Sequence, residues 1–405
     1  MRFYLHRPWW QSAPEASGEG PILCDLSWEQ YKNKAQFKDV QCKRLIVNHL
    51  FFNQCLVSKK GLYKTITKYC AESGEDPLQL IPRTFFLSAE ATTEVIDDTQ
   101  EFIAYNESMM ASNEASPEAK EVVWILKPAA QTNCGIGIKV AKGMEAAMAI
   151  ARGTGGSSDE PGGTEGQPQS AKARRRALSV GWIVQEYIQR PLLVDGRKFD
   201  IRCYVLLSLD KANGLRGFYY ADGYVRTSCK AFSMKNLSDR EAHLTNDAIQ
   251  KHAKKYGQFE PGNKLSYDDW QQVLKNDYPD SPRDVVRRQI LPRMEDLVKM
   301  SIASASSTLT NVSDVSITKS FELLGYDFMV TDQYNPVLIE INSNPCLEFV
   351  CPLLESTISS MLAGVFTTVV DDYFPPPEKK IRSKLCDDAV KEIYRQENKW
   401  KQVFP

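Results

Sequence analysis

Histidine is scarce in this chain: His6, His49, His243 and His252 are the only four among 405 residues. A catalytic centre built on clustered imidazoles is therefore not expected. The ten cysteines, among them Cys55, Cys134, Cys203 and Cys346, form no Cys-x-x-Cys pair. That argues against a zinc site or a disulfide framework and for reduced thiols in a cytoplasmic protein. An excess of either charge is also missing. Lys and Arg number 50 against 51 Asp and Glu, a net charge of −1, which excludes a globally cationic nucleic-acid binder but permits local basic patches. No stretch reaches the roughly 18 uninterrupted apolar residues that a membrane span requires. The nearest, Pro352–Val370, is broken by Glu355 and by Ser and Thr. Its Leu354, Ile358, Met361, Leu362, Val365, Phe366 and Val369 recur at helical spacing, which predicts a core helix. Arg2 and Arg7 precede the polar segment Gln11–Gly20 with no apolar run between, so no secretory signal is expected.

What is present is an ordinary globular balance, 42 % hydrophobic and 25 % charged. At about 150 residues per domain the length predicts two or three domains. Residues 1–85 form an expected N-terminal α/β lobe, with a strand-to-loop segment Arg44–Phe52, a helix over Lys60–Cys70 and an exit marked by Pro77 and Pro82. Residues 86–190 form a central lobe in which the polar stretch Asn106–Lys120 precedes a strand, Val122–Leu126. Within it, residues 152–177 are Gly-, Pro- and Ser-rich, too poor in apolar groups to offset the entropy of ordering, and read as a mobile insertion. Residues 191–377 form a C-terminal lobe: strands up to Ser228, an amphipathic helix carrying Ile290, Leu291, Met294, Leu297, Val298 and Ile302, then a hairpin over Phe321–Ile341. Three prolines at 375–377 close it, and residues 378–405 read as a basic terminal helix.

Four segments carry chemistry. In Lys198–Val205 (KFDIRCYV), strand alternation puts Lys198, Asp200, Arg202 and Tyr204 on one face, and Phe199, Ile201, Cys203 and Val205 on the other. Gly223–Ser228 is the expected partner strand and adds Arg226 to the polar face. Two arginines and a lysine repel there unless an anion covers them, and arginine offers a two-pronged fit to phosphate or carboxylate. In the hairpin, closing Val330 against Val337 around TDQYNP sets Asp327 opposite Glu340, with Asn342 on the same face. Facing carboxylates are unfavourable unless a cation neutralises them, and two carboxylates with an amide oxygen suit Mg²⁺ carrying a nucleotide. Trp124–Pro128 (WILKP) brings Lys127 to a strand end ahead of QTNCGIG, where Gly135 and Gly137 permit a turn near phosphates. Val140 in place of a third glycine excludes the dinucleotide fingerprint. Lastly, Trp182–Ile188 (WIVQEYI) is an apolar strand able to offer backbone groups to a purine.

Together these segments, with VQEYIQRPLLVDGRKFDIRCYV at 184–205, GYVRTS at 223–228, HLTN at 243–246, FELLGYDFMV at 321–330 and IEINSNPCLE at 339–348, resemble the tubulin tyrosine ligase-like family of ATP-grasp enzymes. They occur in the family's order over about half the chain. The resemblance implies an α/β ATP-grasp fold of three lobes, with ATP between the central and C-terminal ones. It assigns Lys127 and Lys198 to the ATP phosphates and Gln185, Glu186, Tyr187 and Ile188 to the adenine through their backbone, with the Gln185 side chain added. Asp200 is assigned to the ribose or amino-acid side, and Asn246 to the phosphate region. Arg202 and Arg226 would stabilise the transferred phosphoryl and acyl phosphate, with Lys198 as a third catalytic cation. Asp327, Glu340 and Asn342 would bind Mg²⁺. His243 is left a structural residue, Lys64 is matched to an N-terminal nucleotide contact, and Glu186 stands where many members carry a basic residue.

The implied reaction is ATP-dependent amide formation between a free amino acid and the C-terminal tail of tubulin through an acyl phosphate. Lys139, Lys142, Lys251, Lys254 and Lys255 would steer that acidic tail, on the cytoskeleton of the cytoplasm, a cilium or a flagellum. GYVRTS leans toward the tyrosine ligase and NSNPCLE toward the chain-modifying members, which places glutamate and tyrosine level and ahead of glycine. The competing readings are a non-catalytic microtubule-binding relative and a ligase for another protein tail or a metabolite.

Overall fold

The computed structural model describes residues 26–30, 46–88, 97–114, 121–129, 137–153, 181–210, 212–312, 319–378 and 397–405. The expected insertion at 152–177, apart from Arg152 and Gly153 at the end of the helix Gly143–Arg152, lies outside these residues, as do Gly135 and most of the segment read as a terminal helix.

Two sheets organise the chain. The larger has nine strands, and its central path is β1 (Leu26–Ser27), β2 (Ile46–Val47), β11 (Lys319–Val330), β8 (Arg197–Asp210), β9 (Gly214–Ala231) and β10 (Lys264–Leu265). β12 (Pro336–Ser343) pairs with β11, β7 (Leu193–Val194) with β8, and β13 (Trp400–Phe404) with β9. The smaller sheet has four strands in the order β3 (Thr84–Leu87), β6 (Trp182–Glu186), β4 (Val123–Pro128) and β5 (Lys139–Lys142). The β7–β8 hairpin turns on Asp195 and Gly196, both at positive φ, the backbone that an Asp-Gly pair adopts most readily.

Alternation along β8 sorts its residues as expected. Phe199, Ile201, Cys203 and Val205 enter the largest core, together with Leu62 and Ile66 of helix α1 (Lys59–Ser73) and Met294, Leu297 and Val298 of a longer helix, Leu291–Leu309. Tyr204 and Leu206 enter a second core on the other face. That core is covered by the helix Pro352–Val365 and its continuation to Val370, whose Ile358, Met361, Val365 and Val369 are buried. Among the described residues it is the one helix long and apolar enough to cross a membrane by length and composition; here its apolar side covers the sheet.

The N-terminal segment joins the larger sheet, since β2 pairs in parallel with β11 and α1 shares the main core. The polar stretch from Asn106 is helical as far as Glu114, within the helix Thr99–Glu114, with the Asn106 side chain turned inward to accept from Trp124 Nε1 at 3.1 Å. One expectation is corrected: within the segment read as a terminal helix, Trp400–Phe404 is a strand that pairs antiparallel with β9. Trp400 anchors it, stacking obliquely on Tyr220 and donating to the Met361 carbonyl at 3.1 Å.

Candidate active site

The polar face of β8 meets β9 and β11 in a layer of paired charges. Register sets Asp200 opposite Arg226 and Arg202 opposite Tyr224 on one side, and Arg202 opposite Asp327 on the other. Arg202 donates through Nε to Asp327 Oδ1 at 2.5 Å and through Nη2 to Oδ2 at 3.1 Å. Arg226 donates to Asp200 at 2.5 Å and reaches Asp327 Oδ2 at 3.0 Å. Thr245 Oγ1 donates to the other Asp200 oxygen. Burial by itself would raise the Asp327 pKa, but the Arg202 and Arg226 charges outweigh it and hold the carboxyl well below the usual range. The anion expected over the arginines is therefore in large part the protein's own Asp327 and Asp200. Each guanidinium keeps Nη1 outside these contacts.

Gly325 makes this possible. It pairs with Tyr204 on β8 and Asn342 on β12, and a Cβ there would stand 3.2 Å from Arg202 Cδ and Nε and 2.9 Å from Pro345 Cβ. The bare backbone lets the Arg202 side chain cross over it toward Asp327.

The hairpin reaches its expected pair by a different route. Val330 pairs with Pro336, so the turn holds five residues instead of six, and Phe328 pairs with Leu338. Continued without interruption, that register would put Ile339 opposite Asp327 and turn Glu340 to the far face. A bulge at Ile339 absorbs one residue, and Asp327 then faces Glu340. Asn342 Nδ2 lies 3.1 Å from both Asp327 Oδ2 and Glu340 Oε1. A metal is thus not needed to reconcile the two carboxylates, because guanidinium groups already neutralise Asp327. The three side chains nevertheless converge on one point, and with the amide turned over they offer the hard oxygen donors that Mg²⁺ takes. Among the described residues no group of three or more His, Cys, Asp or Glu side chains forms a metal cluster, so any ion here relies on the amide and on oxygens from elsewhere.

Two lysines complete the site. Lys127, at the end of β4, is buried and donates to Gln185 Oε1 at 2.8 Å, while Gln185 Nε2 donates to Thr84 Oγ1 at 3.0 Å. Lys198, on β8, donates to Tyr187 Oη at 2.9 Å and to the His243 carbonyl at 3.0 Å. Desolvation lowers Lys127 to about 8 and Lys198 to about 7, against partial support from Glu340 and Asp327 for the first and Asp200 for the second. The charge of Lys59, at the start of α1, lowers Lys127 further. Lys64, one turn further along α1, is not among the charges felt there.

In the segment assigned to the adenine, β6 is an inner strand paired on both edges, and the amides of Glu186 and Tyr187 are bonded as well. Glu186 N donates to the Arg83 carbonyl and Tyr187 N to the Val123 carbonyl, both at 2.8 Å. Glu186 is half-buried beside Arg83, and Ile188 follows the strand, half-buried. Asn246 caps the short helix Asp247–Gln250 without a side-chain bond to it; its neighbour Thr245 is the residue of HLTN that touches Asp200. The structure thus brings Lys127, Gln185, Tyr187, Lys198, Asp200, Arg202, Arg226, Asp327, Glu340 and Asn342 together. Thr84, Thr245 and Gly325 escaped the sequence reading, which left His243 a structural residue. HLTN pointed to the segment but not to which of its side chains bonds to the site.

The chain is 36 % identical over 200 residues to tubulin glycylase 3D of Tetrahymena thermophila, covering 48 % of this chain and 18 % of that protein. It is 26 % identical over 368 residues to a probable tubulin polyglutamylase of Mus musculus, covering 86 % and 72 %. A human tubulin monoglycylase matches at 27 % over 339 residues, covering 80 % and 39 %. The chain thus spans under a fifth of the ciliate glycylase's length. The family model described as the tubulin-tyrosine ligase family matches residues 40–382. That match takes in the smaller sheet, the larger one except β1 and β13, and every charged side chain of the site, so the chain belongs to the tubulin-tyrosine ligase family, with its ATP-grasp-like α/β fold.

Proposed function

We propose that this chain is an ATP-dependent ligase that joins an amino acid, glycine or glutamate, to a carboxylate on the C-terminal tail of tubulin. The observation that carries the reading is the pair of buried lysines. Among the described residues neither Lys127 nor Lys198 has a carboxylate partner; both donate only to neutral oxygens. Buried cations left in that state favour an anionic ligand, and the two stand on different sheets, so a polyphosphate between the sheets would meet both.

In the proposed reaction the tail carboxylate takes the terminal phosphoryl group of ATP, and ADP departs. The neutral amino group then attacks the acyl carbon and loses a proton to solvent, and inorganic phosphate leaves as the acyl C–O bond breaks. Negative charge grows on phosphoryl oxygens and on the tetrahedral oxygen. Arg202 and Arg226, already fixed by Asp327 and Asp200, face that charge without having to reorganise. Lys127 and Lys198 hold the transferred group in place. Glu340 and Asn342, with Asp327 behind them, would hold Mg²⁺, which supplies further neutralisation of phosphate oxygens. The scarcity of histidine is no obstacle, since little proton transfer is asked of the protein.

Glycine, last in order on sequence cues, rises because relatives named as glycylases are prominent among the similar proteins; glutamate keeps its place through the polyglutamylase match. None of the relatives reported above is named for tyrosine. Association with the cytoskeleton follows from this substrate. The three-lobe division is retained as part of the proposal, with its first lobe joined to the large sheet. The test is to incubate the chain with microtubules, ATP, Mg²⁺ and each labelled amino acid, and to map the label on tail peptides. Glycine or glutamate is expected on the tail; no incorporation of any amino acid, with no ATP binding, would refute the enzyme reading.

A further inference from the structure

Tyr187, His243 and Lys198 form a hydrogen-bonded chain that neither the family match nor the proposed chemistry assigns. His243 Nε2 lies 2.9 Å from the Asn236 carbonyl oxygen. A carbonyl has no proton to give, so Nε2 carries the hydrogen and Nδ1 is left as an acceptor. Tyr187 Oη lies 2.7 Å from Nδ1 and must donate to it. The lone pairs of that oxygen are then free to accept, and Lys198 Nζ donates to it at 2.9 Å. The same ammonium lies 4.4 Å from the centre of the Tyr187 ring, a distance at which a cation is attracted to the π face. Burial holds the imidazole in its neutral form by lowering its pKa. All three side chains are at most 5 % exposed.

The direction of every bond is therefore set from one end, the Asn236 carbonyl. The chain also crosses between the sheets: Tyr187 directly follows β6 of the smaller sheet, whereas Lys198 belongs to β8 of the larger. From this we infer that His243 and Tyr187 are positioning residues for Lys198, orienting the Tyr187 oxygen so that it fixes the ammonium where a nucleotide phosphate is met. The inference rests on the phosphate role proposed for Lys198. The other charged groups that act on Lys198 are Asp200 on its own strand and Lys127 on β4; both remain in every variant below.

The test measures ATP affinity by titration calorimetry on the full chain, with KM and kcat alongside. Tyr187→Phe removes one oxygen and keeps the ring. His243→Ala removes the acceptor but keeps the backbone carbonyl that Lys198 also uses. Each is expected to weaken ATP binding about tenfold, raising KM far more than it lowers kcat. The double variant is expected to be no weaker than either single one, because each breaks the same chain. His243→Asn, which can return an acceptor near the Nδ1 position, is expected to recover most of the affinity. Wild-type affinity in both single variants would overturn the inference while leaving the nucleotide reading intact. So would losses that multiply to about a hundredfold in the double variant, or an Asn variant as weak as the Ala one. A wild-type chain that binds no ATP would overturn the nucleotide reading and this inference together.

Discussion

At the scale of single residues, two facing carboxylates have different duties. Asp327 is 3 % exposed and is held by two guanidinium groups. Glu340 is half-buried and bonds to Asn342 alone among the described contacts. Removing one partner of a buried ion pair leaves the other charge stranded, at a cost of about 3–5 kcal/mol. Asp327→Asn is therefore expected to lower unfolding free energy by about that much in urea titrations and to abolish amino-acid incorporation. Glu340→Gln is expected to leave stability within about 1 kcal/mol while incorporation falls by about 10–100-fold, the usual scale for disturbing a metal site. Full incorporation by Glu340→Gln would remove that residue from the metal set.

At the scale of elements, the strands β8, β11 and β12 act as a ruler whose marks are set by two local devices. One is the bulge at Ile339, which returns Glu340 to the face of Asp327 after the turn has set the opposite register. The other is Gly325, whose missing side chain gives Arg202 its path. An added methyl would press on Arg202 and on Pro345, and overpacking of this kind costs about 1–3 kcal/mol. Gly325→Ala is thus expected to lower the thermal midpoint and, by displacing the guanidinium, to reduce kcat more than it raises KM for ATP. A variant with lowered stability but unchanged kcat would show that Arg202 has another route to Asp327.

At the scale of the whole molecule, the two buried lysines tie stability to pH and to nucleotide. In the folded chain Lys198 titrates at about 7 and Lys127 at about 8, against about 10.4 when unfolded. Between those values the unfolded chain binds more protons, so their contribution makes stability rise with pH from about 7 to about 10. Below about 7 both states hold the Lys198 proton and the burial penalty is felt in full. A phosphate partner would raise both folded values and flatten the slope. Thermal melts between pH 7 and 9.5 are expected to show the rise without ATP, a weaker one with ATP, and a weaker one in Lys198→Met; identical slopes in all three would contradict the assignment. Much of this site was legible beforehand. Alternation in KFDIRCYV determined which side chains share a face, because a strand's period of two is local, and the same rule put Arg226 on the polar face of its partner strand. The helical spacing from Leu354 to Val369 likewise identified a core helix. Tertiary structure alone decided which charges pair. Arg202 meets a carboxylate 125 residues away and Tyr187 an imidazole 56 residues away, distances over which no periodicity reports. It also decided that the chain end is a strand, since Trp400 finds its pocket only once Tyr220 and Met361 have been brought together. Sequence alone determined the faces and the kinds of side chain on them; packing decided the partners, because a partner's identity depends on registers and bulges that form only when distant strands meet.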